Sequence, residues 1–283
     1  MKVTQIKILT DSSAQLTDEE IKKYDITVVP LSVNIDGKTY QDGVDLTRAQ
    51  FVKEMDASSE LPKTSQPSIG LFHRKFKELT ADGSSVLAIF LSVNLSGTIN
   101  AARQAAEMLP DADIEIVDSL FTDRCQGFQV IAAAQDAEAG KSMTEIKAHL
   151  ADLQDRIHLR MMVVNLKNII KGGRLGPLTG RVATLLNIRI ALTMKEGKLL
   201  IERKGRGRKF TVKYVEDVLQ YLRNHPNISQ LCISYVDSKD QIDELAAKIK
   251  EQEPNISIMT RITSPIIATH AGSGAFAIQF FTE

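Results

Sequence analysis

Three short polar segments carry the groups that could bind a small molecule or react with it. They are Asp11-Ser12, Thr64-Ser65-Gln66 and Ser96-Gly97-Thr98. We expect all three to lie just beyond the carboxyl ends of strands, where open α/β sheets place their ligands. Ser96 stands before a glycine at the mouth of an expected helix, so its hydroxyl and the first free backbone amides would point the same way. This pattern indicates a carboxylate or oxyanion site; the alternative is that these residues only cap helices and form turns.

The sequence argues against several common catalytic sites. Asn94-Leu95-Ser96-Gly97-Thr98 lacks the Gly-x-Ser-x-Gly pattern of serine hydrolases, and no general base stands nearby. There is no Gly-x-x-x-x-Gly-Lys-Ser/Thr loop for ATP, and Gly205-Arg206-Gly207-Arg208 is too short and too charged for a dinucleotide fingerprint. No pair of His or Cys residues has metal-ligand spacing. We therefore predict no catalytic residue, no cofactor and no metal.

Positive charge is concentrated in one segment of a chain whose formal net charge is zero. Residues 156–213 include fifteen Lys or Arg and two acidic residues, a net charge of +13. Unless it is only a solvated face, such a segment attracts phosphate, nucleotide, lipid headgroups or an acidic partner surface. Arg174, after two glycines, and Arg206, in the basic run 203–209, are candidates for binding a phosphate. Few aromatic residues lie near enough to stack on bases, so we expect no nucleic-acid partner.

Histidine and cysteine supply the remaining candidates. His270 precedes Gly-Ser-Gly in an uncharged segment, where glycines would let a ligand approach closely. The other histidines are expected at the surface without partners, and they are His73, His149, His158 and His225. Cys125 and Cys232 lie far apart in different contexts, so we expect two reduced thiols in the core of a cytoplasmic protein.

The composition is that of a globular protein with a large core. The chain has 283 residues, of which 43% are hydrophobic and 25% are charged, and this length suits two domains. We place them at 1–155 and 156–283, because the pattern of elements changes near residue 155. No export signal is visible at the start, since a charge recurs before a long apolar run can develop. The uncharged stretch 262–282 contains a proline and several glycines, so it is expected to form buried strands and turns.

The elements that must position these residues alternate between strands and helices. In the first domain, strands are expected at 3–9, 26–35, 86–91 and 114–117, with helices after Thr17, Thr47, Ser68, Gly97 and about residue 124. This βαβα alternation predicts a mostly parallel sheet with helices on both faces. In the second domain, strands at 161–164, 188–194, 198–203, 230–236, 256–261 and 275–281 and helices near 211–223 and 240–252 predict a mixed α/β sheet.

Taken in order over nearly the whole chain, the motifs resemble the DegV family, and within it the fatty-acid-binding B subunits of bacterial fatty acid kinases. The matching stretches are Thr10-Asp11-Ser12, Lys63-Thr64-Ser65-Gln66-Pro67, Leu95-Ser96-Gly97-Thr98, Lys171-Gly172-Gly173-Arg174, 184–188, Arg206-Gly207-Arg208-Lys209 and His270-Ala271-Gly272-Ser273-Gly274. Together these motifs are specific, although none is specific alone. Ile99, Arg189-Ile190 and Ser273 depart from the common family pattern and leave the hydroxyl residues intact.

The resemblance implies a protein that encloses one long-chain fatty acid between its two domains. It implies that Thr64 and Ser96 hold the carboxylate, with supporting loops that contain Asp11, Ser12, Ser65, Gly97, Thr98 and Gly272. A separate ATP-dependent kinase subunit would phosphorylate the carboxylate, and the acyl phosphate would continue toward phospholipid synthesis. Arg174, Arg206 and His270 would serve the phosphate or the docking of the kinase. An acyltransferase or a membrane surface would be a transient partner.

The residues suit this chemistry. A carboxylate that leaves water needs hydrogen-bond donors, and two hydroxyls with helix-terminal amides supply them without a full positive charge. Burying about 15 methylenes at ~0.8 kcal/mol each gives an upper bound of ~12 kcal/mol, which the cost of ordering reduces. Two alternatives stay open: an enzyme acting alone on a small phosphorylated or carboxylic substrate, and a lipid-binding regulator without a kinase partner.

Overall fold

The structure is a computed structural model that describes residues 5–175 and 187–282. The strands in these residues are β1 (Ile6–Asp11), β2 (Thr27–Val29), β3 (Ser32–Ile35), β4 (Lys38–Gln41), β5 (Lys63–Ser65), β6 (Ser85–Phe90), β7 (Ile114–Asp118), β8 (Ile157–Val163), β9 (Ile188–Lys195), β10 (Lys198–Arg206), β11 (Gln230–Tyr235), β12 (Ser257–Ile262) and β13 (Phe276–Phe281). The helices are α1 (Asp18–Lys23), α2 (Arg48–Ala57), α3 (Ile69–Thr80), α4 (Thr98–Glu107), α5 (Asp123–Glu138), α6 (Met143–Arg156), α7 (Leu166–Lys171), α8 (Gly207–Arg223), α9 (Lys239–Gln252) and α10 (Pro265–Ala271). They form an α/β fold with a parallel-sheet domain followed by a mixed-sheet domain.

The first domain is built on a parallel sheet in the order β2-β1-β6-β7. Every residue of the central strand β6 is buried, and successive side chains point to opposite faces. Leu87 and Ile89 pack against α5 and α6 on one face. Val86 and Phe90 pack against α3 and α4 on the other. Helices therefore cover both faces of the sheet, which confirms the predicted class.

The second domain is built on a mixed sheet in the order β10-β9-β8-β13-β11-β12. Neighbouring strands are antiparallel except for β11 and β12. One face carries Met162 and Ile278 and is covered by α8 and α9. The other face carries Leu159, Met161 and Met194 and packs toward the first domain. This face is the wall at which the two domains meet. Helix α6 ends next to the predicted boundary at residue 155, which stays a prediction.

A small antiparallel sheet in the order β4-β3-β5 packs against α2 and α10. Asp36 and Gly37 have positive φ angles of 46° and 83°, and they form the hairpin turn between β3 and β4. The prediction of one strand at 26–35 was wrong, because this stretch forms β2 and β3 in different sheets. Pro30 stands between the two strands and lacks the amide hydrogen needed to continue a ladder.

Two other segments differ from the sequence-based prediction. The stretch 262–282, expected to form strands and turns, contains helix α10, which is capped by Ser264 and begins with Pro265. In the described part of the chain, no helix is long and apolar enough to cross a bilayer. The strand expected at 198–203 and the helix expected near 211–223 both extend into the basic run 203–209, because β10 continues to Arg206 and α8 begins at Gly207. The run is therefore a junction between a strand and a helix.

Three of the histidines expected to lack partners have them. His149 Nδ1 lies 2.5 Å from Asp136 Oδ2. The His158 ring lies 5.6 Å from the ring of Tyr221, measured between centroids, and His225 stacks on the same tyrosine at 4.0 Å. The partners of His149 and His158 come from other elements, so the sequence around those two residues does not reveal them, whereas Tyr221 stands four residues before His225.

The two cysteines are free thiols in the core, as predicted. Neither side chain is exposed. Burial raises the pKa of Cys125 well above its ordinary value and raises that of Cys232 to about 12. Because the thiolate is the reactive form, both residues are poor nucleophiles near neutral pH and act as apolar packing groups.

Asp136 on α5 joins α6 and the segment before it, and it yields a test of stability. Burial opposes its ionisation, but hydrogen bonds from Lys141 and His149 outweigh that effect and lower the pKa of Asp136 below its ordinary value. A carboxyl with a lowered pKa stabilises the fold above its unfolded pKa and loses that contribution as the pH falls through its folded pKa. We predict that Asp136→Asn lowers the free energy of unfolding by about 1–3 kcal/mol at pH 7, and that the difference shrinks below about pH 4.

Urea unfolding at several pH values measures this effect. The matched control is Asp152→Asn, which removes an exposed carboxylate paired with Arg156 on α6 and should change the stability by less than about 0.5 kcal/mol. Equal losses for the two variants at pH 7 would contradict the role assigned to Asp136.

Candidate functional site

A cavity of about 300 Å³ lies between the two domains. Its wall comes from the mixed sheet, from segments after β2 and β6, and from α7 and α10. The apolar lining residues are Leu31, Leu91, Leu95, Leu159, Met161, Ile169, Met194, Leu199, Val236, Ile266, Ile267, Ala271, Ala275, Phe276 and Ala277. Nearly all of these side chains are aliphatic. Such a wall suits a flexible hydrocarbon better than a flat ring, which aromatic side chains would stack against.

A group of polar residues lines the same cavity, and we call it the polar end. Its members are Thr64, Gln66, Ser96, Gly97, Arg174 and His270. They come from β5, from the loop before α4, from the turn after α7 and from α10. The structure therefore brings together the two predicted carboxylate-binding hydroxyls and two of the three residues predicted to serve a phosphate or the kinase.

Thr64 and His270 are in direct contact at the polar end. Thr64 Oγ1 lies 3.0 Å from His270 Nε2. Thr64 does not lie in a loop beyond the end of a strand, as the sequence suggested, but within β5, opposite Val33 of β3. The strand pairing fixes the threonine backbone, and the imidazole fixes its hydroxyl. The Thr64 hydroxyl is therefore held in one place in the wall of the cavity.

His270 is neutral near pH 7. Burial and the nearby Arg174 guanidinium lower the pKa of His270 to about 4. Its Nδ1 atom is buried and has no hydrogen-bond partner in the described residues. A Cβ atom on Gly172 would lie only 2.3 Å from that Nδ1. The first glycine of the Gly172-Gly173 pair thus allows the end of α7 to approach the imidazole ring closely.

Ser96 does not cap the helix that follows it. The N-cap of α4 is Gly97, which makes no side-chain capping hydrogen bond. Ser96 Oγ lies instead 2.9 Å from Thr98 Oγ1. Gln66 covers this loop so closely that a Cβ atom on Gly97 would meet its amide oxygen at 2.0 Å. The interpretation of Ser96 as a simple helix cap is wrong, and its hydroxyl is available to the cavity.

Arg174 adds a positive charge that the hydroxyl-only prediction did not include. Its Nη1 donates to the carbonyl oxygen of Gly172 at 2.6 Å, and its Nε donates to that of Leu95 at 3.3 Å. Burial lowers the pKa of Arg174, but a guanidinium starts from so high a value that it stays charged. It forms no salt bridge within the described ranges. The polar end therefore combines two hydroxyls, a neutral imidazole and one unpaired cation.

A second polar cluster, which the sequence did not indicate, also lines the cavity. Asp123 is buried, and its carboxylate accepts hydrogen bonds from Ser234 Oγ at 3.0 Å and Thr263 Oγ1 at 3.1 Å. Burial raises the pKa of Asp123 above its ordinary value. The neighbouring Thr122 Oγ1 is buried without a hydrogen-bond partner. Within the ranges 5–175 and 187–282, no three His, Cys, Asp or Glu side chains are grouped as metal ligands.

Asp11 and Ser12 lie outside the cavity and support it from behind. The Asp11 carboxylate accepts a hydrogen bond from the Leu91 amide at 2.9 Å. The Ser12 hydroxyl accepts one from the Leu31 amide at 3.0 Å and donates to Asp42 at 2.9 Å. Leu31 and Leu91 both line the cavity. The two predicted loop residues thus hold apolar wall residues in place and do not line this cavity.

The remaining predicted residues differ in their distance from the cavity. Ser65 lines it. Gly272 ends α10 with a φ of 75°, and a Cβ there would lie 3.0 Å from the Asn168 side chain. Arg206 is exposed at the junction of β10 and α8 and is not part of the cavity wall. Within the matching stretch 184–188, residues 184–186 lie outside the described residues.

Comparisons with known sequences cover almost the whole chain. A family model described as "Uncharacterised protein, DegV family" matches residues 5–283. A DegV domain-containing protein from Listeria innocua is 42% identical over 281 residues, which are 99% of each chain. Another from Streptococcus pneumoniae is 42% identical over 277 residues, which are 98% of each chain.

Solved structures share the same fold. DegV from Bacillus subtilis, described as a fatty acid binding protein, has a TM-score of 0.91 and 25% identity, covering 99% of this chain and 100% of its own. A DegV family protein from Thermus thermophilus, described by its fatty acid binding, has a TM-score of 0.89 and 26% identity with the same coverage. A stearic acid-binding protein from Eubacterium ventriosum has a TM-score of 0.88 and 26% identity, covering 98% of each chain.

The protonation of His270 is directly testable. We predict that NMR titration of its ring signal gives a midpoint near pH 4 in the folded protein, against about 6.5 in urea. Because burial is the larger cause of the shift, Arg174→Gln should raise the midpoint without restoring the ordinary value. A folded-state midpoint near 6.5 would show that His270 is charged more easily than its burial implies.

Proposed function

The chain belongs to the DegV family, and from that premise we propose that it binds one long-chain fatty acid in the cavity between its domains. The observation that carries the proposal is an aliphatic cavity whose polar end holds hydroxyl groups and a cation. The names of structural relatives from several bacteria describe fatty acid binding, which supports the same ligand class. Burial of the hydrocarbon along the apolar wall would favour binding and would need no directional contacts.

In this proposal, the carboxylate accepts hydrogen bonds from Thr64 and Ser96. A hydroxyl directs its proton to the ligand when another donor occupies its oxygen. For Thr64 that donor is His270, with the imidazole proton on Nε2, and for Ser96 it is Thr98. The buried Nδ1 then carries no proton, so no N–H group is left without an acceptor. The two hydroxyls therefore act as oriented donors.

The same geometry argues against an enzyme that works alone. Thr64 and His270 resemble a nucleophile and its base, but a base of this kind needs a third group that orients its second ring nitrogen. His270 Nδ1 has no such partner among the described residues. Its pKa of about 4 also makes it a weak proton acceptor near pH 7. A non-catalytic carrier uses the same pair without requiring proton transfer.

The carrier presents its carboxylate to a separate ATP-dependent kinase subunit, and the acyl phosphate then feeds phospholipid synthesis. Ser65 and Gln66 are exposed beside the polar end, so the carboxylate lies close to the surface. Arg174 is the charge that would stabilise the added phosphate. Arg206 lies outside the cavity on an exposed basic junction, which suits docking of a partner. Two buried free thiols suit a cytoplasmic setting.

We predict that Thr64→Val and Ser96→Ala each weaken fatty acid binding about ten- to hundredfold, because each removes a hydrogen bond to a charged carboxylate. Competition with a fluorescent fatty acid measures the affinity. Extraction and mass spectrometry of the purified protein measure its ligand content. The methyl ester of the same acid should lose less affinity in these variants than the acid does, since its uncharged carbonyl accepts weaker hydrogen bonds than a carboxylate.

The matched control is Thr80→Val, which removes a hydroxyl bonded to the Phe76 carbonyl within α3, away from the cavity. It should leave the affinity unchanged. If the double variant Thr64→Val with Ser96→Ala binds the acid as tightly as the native protein, the carboxylate lies elsewhere.

The partner step has its own prediction. The purified protein with fatty acid and ATP should form no acyl phosphate, because it offers no catalytic base or metal-ligand cluster in its described parts. After addition of the fatty acid kinase subunit, hydroxylamine trapping should detect acyl phosphate. Arg206→Gln should lower that rate at limiting kinase and leave fatty acid affinity unchanged, with Arg103→Gln on α4 as the control. A slower reaction caused only by lost fatty acid would refute a docking role.

A further inference from the structure

A second groove crosses the boundary between the two domains, and its volume is about 680 Å³. One wall is apolar and is formed by Leu16, Ile21, Val28 and Pro30 of the first domain. Two arginines line the same groove, Arg48 from α2 and Arg261 from β12. None of these six residues lines the cavity described above, in which we propose that the fatty acid binds.

Each arginine reaches across to the other domain. Arg48 Nη1 donates to the Ile262 carbonyl oxygen at 2.8 Å, and Arg261 Nη1 donates to the Leu16 carbonyl oxygen. A guanidinium has five N–H donors in a fixed planar arrangement. In the described residues, neither arginine makes another hydrogen bond or a salt bridge. Both therefore keep unused donors beside the groove.

Several carboxylates lie near these arginines, and Asp18 and Asp42 line the groove itself, but in the described residues none forms a salt bridge with Arg48 or Arg261. Asp42 accepts a hydrogen bond from a serine hydroxyl, and burial raises its pKa to about 7, so it carries only part of a charge at neutral pH. Asp123 is bonded on both oxygens to hydroxyl groups. Glu20 forms a salt bridge with Arg124 at 2.7 Å. Asp18 and Glu19 are exposed and form no salt bridge with either arginine.

The two guanidinium groups also affect each other. Burial and the charge of Arg261 lower the pKa of Arg48. Two like charges that are partly withdrawn from water destabilise one another unless an anion balances them. The reciprocal carbonyl contacts use one donor of each group and supply no counter-charge. Asp42 and Asp123 offset part of the charge of Arg48, and Glu19 and Glu20 offset part of the charge of Arg261. None of these carboxylates forms a salt bridge with either arginine in the described residues, so both guanidinium groups keep donors for an added anion.

We propose that this groove binds a phosphate monoester, with its phosphate between Arg48 and Arg261 and its organic part on the apolar wall. Two guanidinium groups match the charge and the oxygen geometry of a phosphate dianion, whereas a carboxylate offers a single charge. The groove has room for more than a phosphate ion, and its lining includes the apolar wall as well as polar residues such as Ser12, Asp42 and Thr260. Because the arginines belong to different domains, the bound ester would link the domains in addition to the existing carbonyl contacts.

The test is calorimetric titration of the full-length protein loaded with palmitate, so that the fatty-acid cavity is already occupied. The probes are phenyl phosphate, inorganic phosphate and benzoate at low ionic strength. Phenyl phosphate should bind with a stoichiometry of one and a Kd below about 1 mM. Inorganic phosphate should bind more weakly because it lacks the organic part, and benzoate more weakly still because it carries less charge. Phenyl phosphate should also raise the Tm, since it binds only the folded state.

Variants assign the binding to the arginine pair. Arg48→Gln and Arg261→Gln should each weaken phenyl phosphate binding at least about tenfold, and Arg103→Gln on an exposed face of α4 should not. Arg48→Lys keeps the charge and loses the planar pair of N–H donors, so its affinity for phenyl phosphate should fall between those of Arg48→Gln and the native protein. Palmitate content is measured in every variant and should stay unchanged, which separates this site from the proposed fatty acid function.

Three results would overturn the assignment. The first is no saturable phenyl phosphate binding up to about 10 mM. The second is unchanged binding in the double variant Arg48→Gln with Arg261→Gln. The third is inorganic phosphate binding as tightly as phenyl phosphate, which would leave no role for the apolar wall.

Discussion

The buried carboxylate of Asp123 joins the two domains, and the cavity depends on that contact. It lies at the start of α5 in the first domain and accepts hydrogen bonds from Ser234 and Thr263 of the second. Its backbone has a φ of 58°, which is unfavourable for a residue other than glycine, and burial raises its pKa. These costs are tolerated because the surrounding contacts hold the residue in place. Each wall of the cavity belongs to one domain, so the cavity keeps its shape only while the domains stay joined.

Different parts of the cavity would set the affinity for a fatty acid and the orientation of its carboxylate. Apolar burial is not directional, so the aliphatic wall can hold a hydrocarbon without specifying which end points where. In the proposed complex, orientation would come from the polar end, where Thr64 and Ser96 each have a side-chain hydrogen-bond partner. A neutral His270 next to Arg174 makes this possible, since the local positive charge resides on the guanidinium and not on the imidazole.

Residues behind the cavity hold its lining residues in place through defined hydrogen bonds. The Asp11 carboxylate and the Ser12 hydroxyl each accept a hydrogen bond from the backbone amide of a lining leucine. A buried amide without an acceptor would cost about 1–3 kcal/mol, so these polar residues stabilise apolar positions. Gly172 acts in a similar way, because only a residue without Cβ lets α7 pack against the His270 ring. Motif residues can therefore support the cavity without lining it.

The sequence by itself determined the α/β class and the capped helix starts, because these depend on residue types and spacing within short segments, and it singled out Thr64 and Ser96, which the structure places in the cavity wall. Helix α10 was not predicted from the sequence, although Ser264 and Pro265 are ordinary signals of a helix start. Only the tertiary structure decided which side chains share a site. Thr64 and His270 are 206 positions apart, and no local pattern reports a contact over that distance. Partners at long range are set by the packing of the two domains, which depends on all their surfaces together.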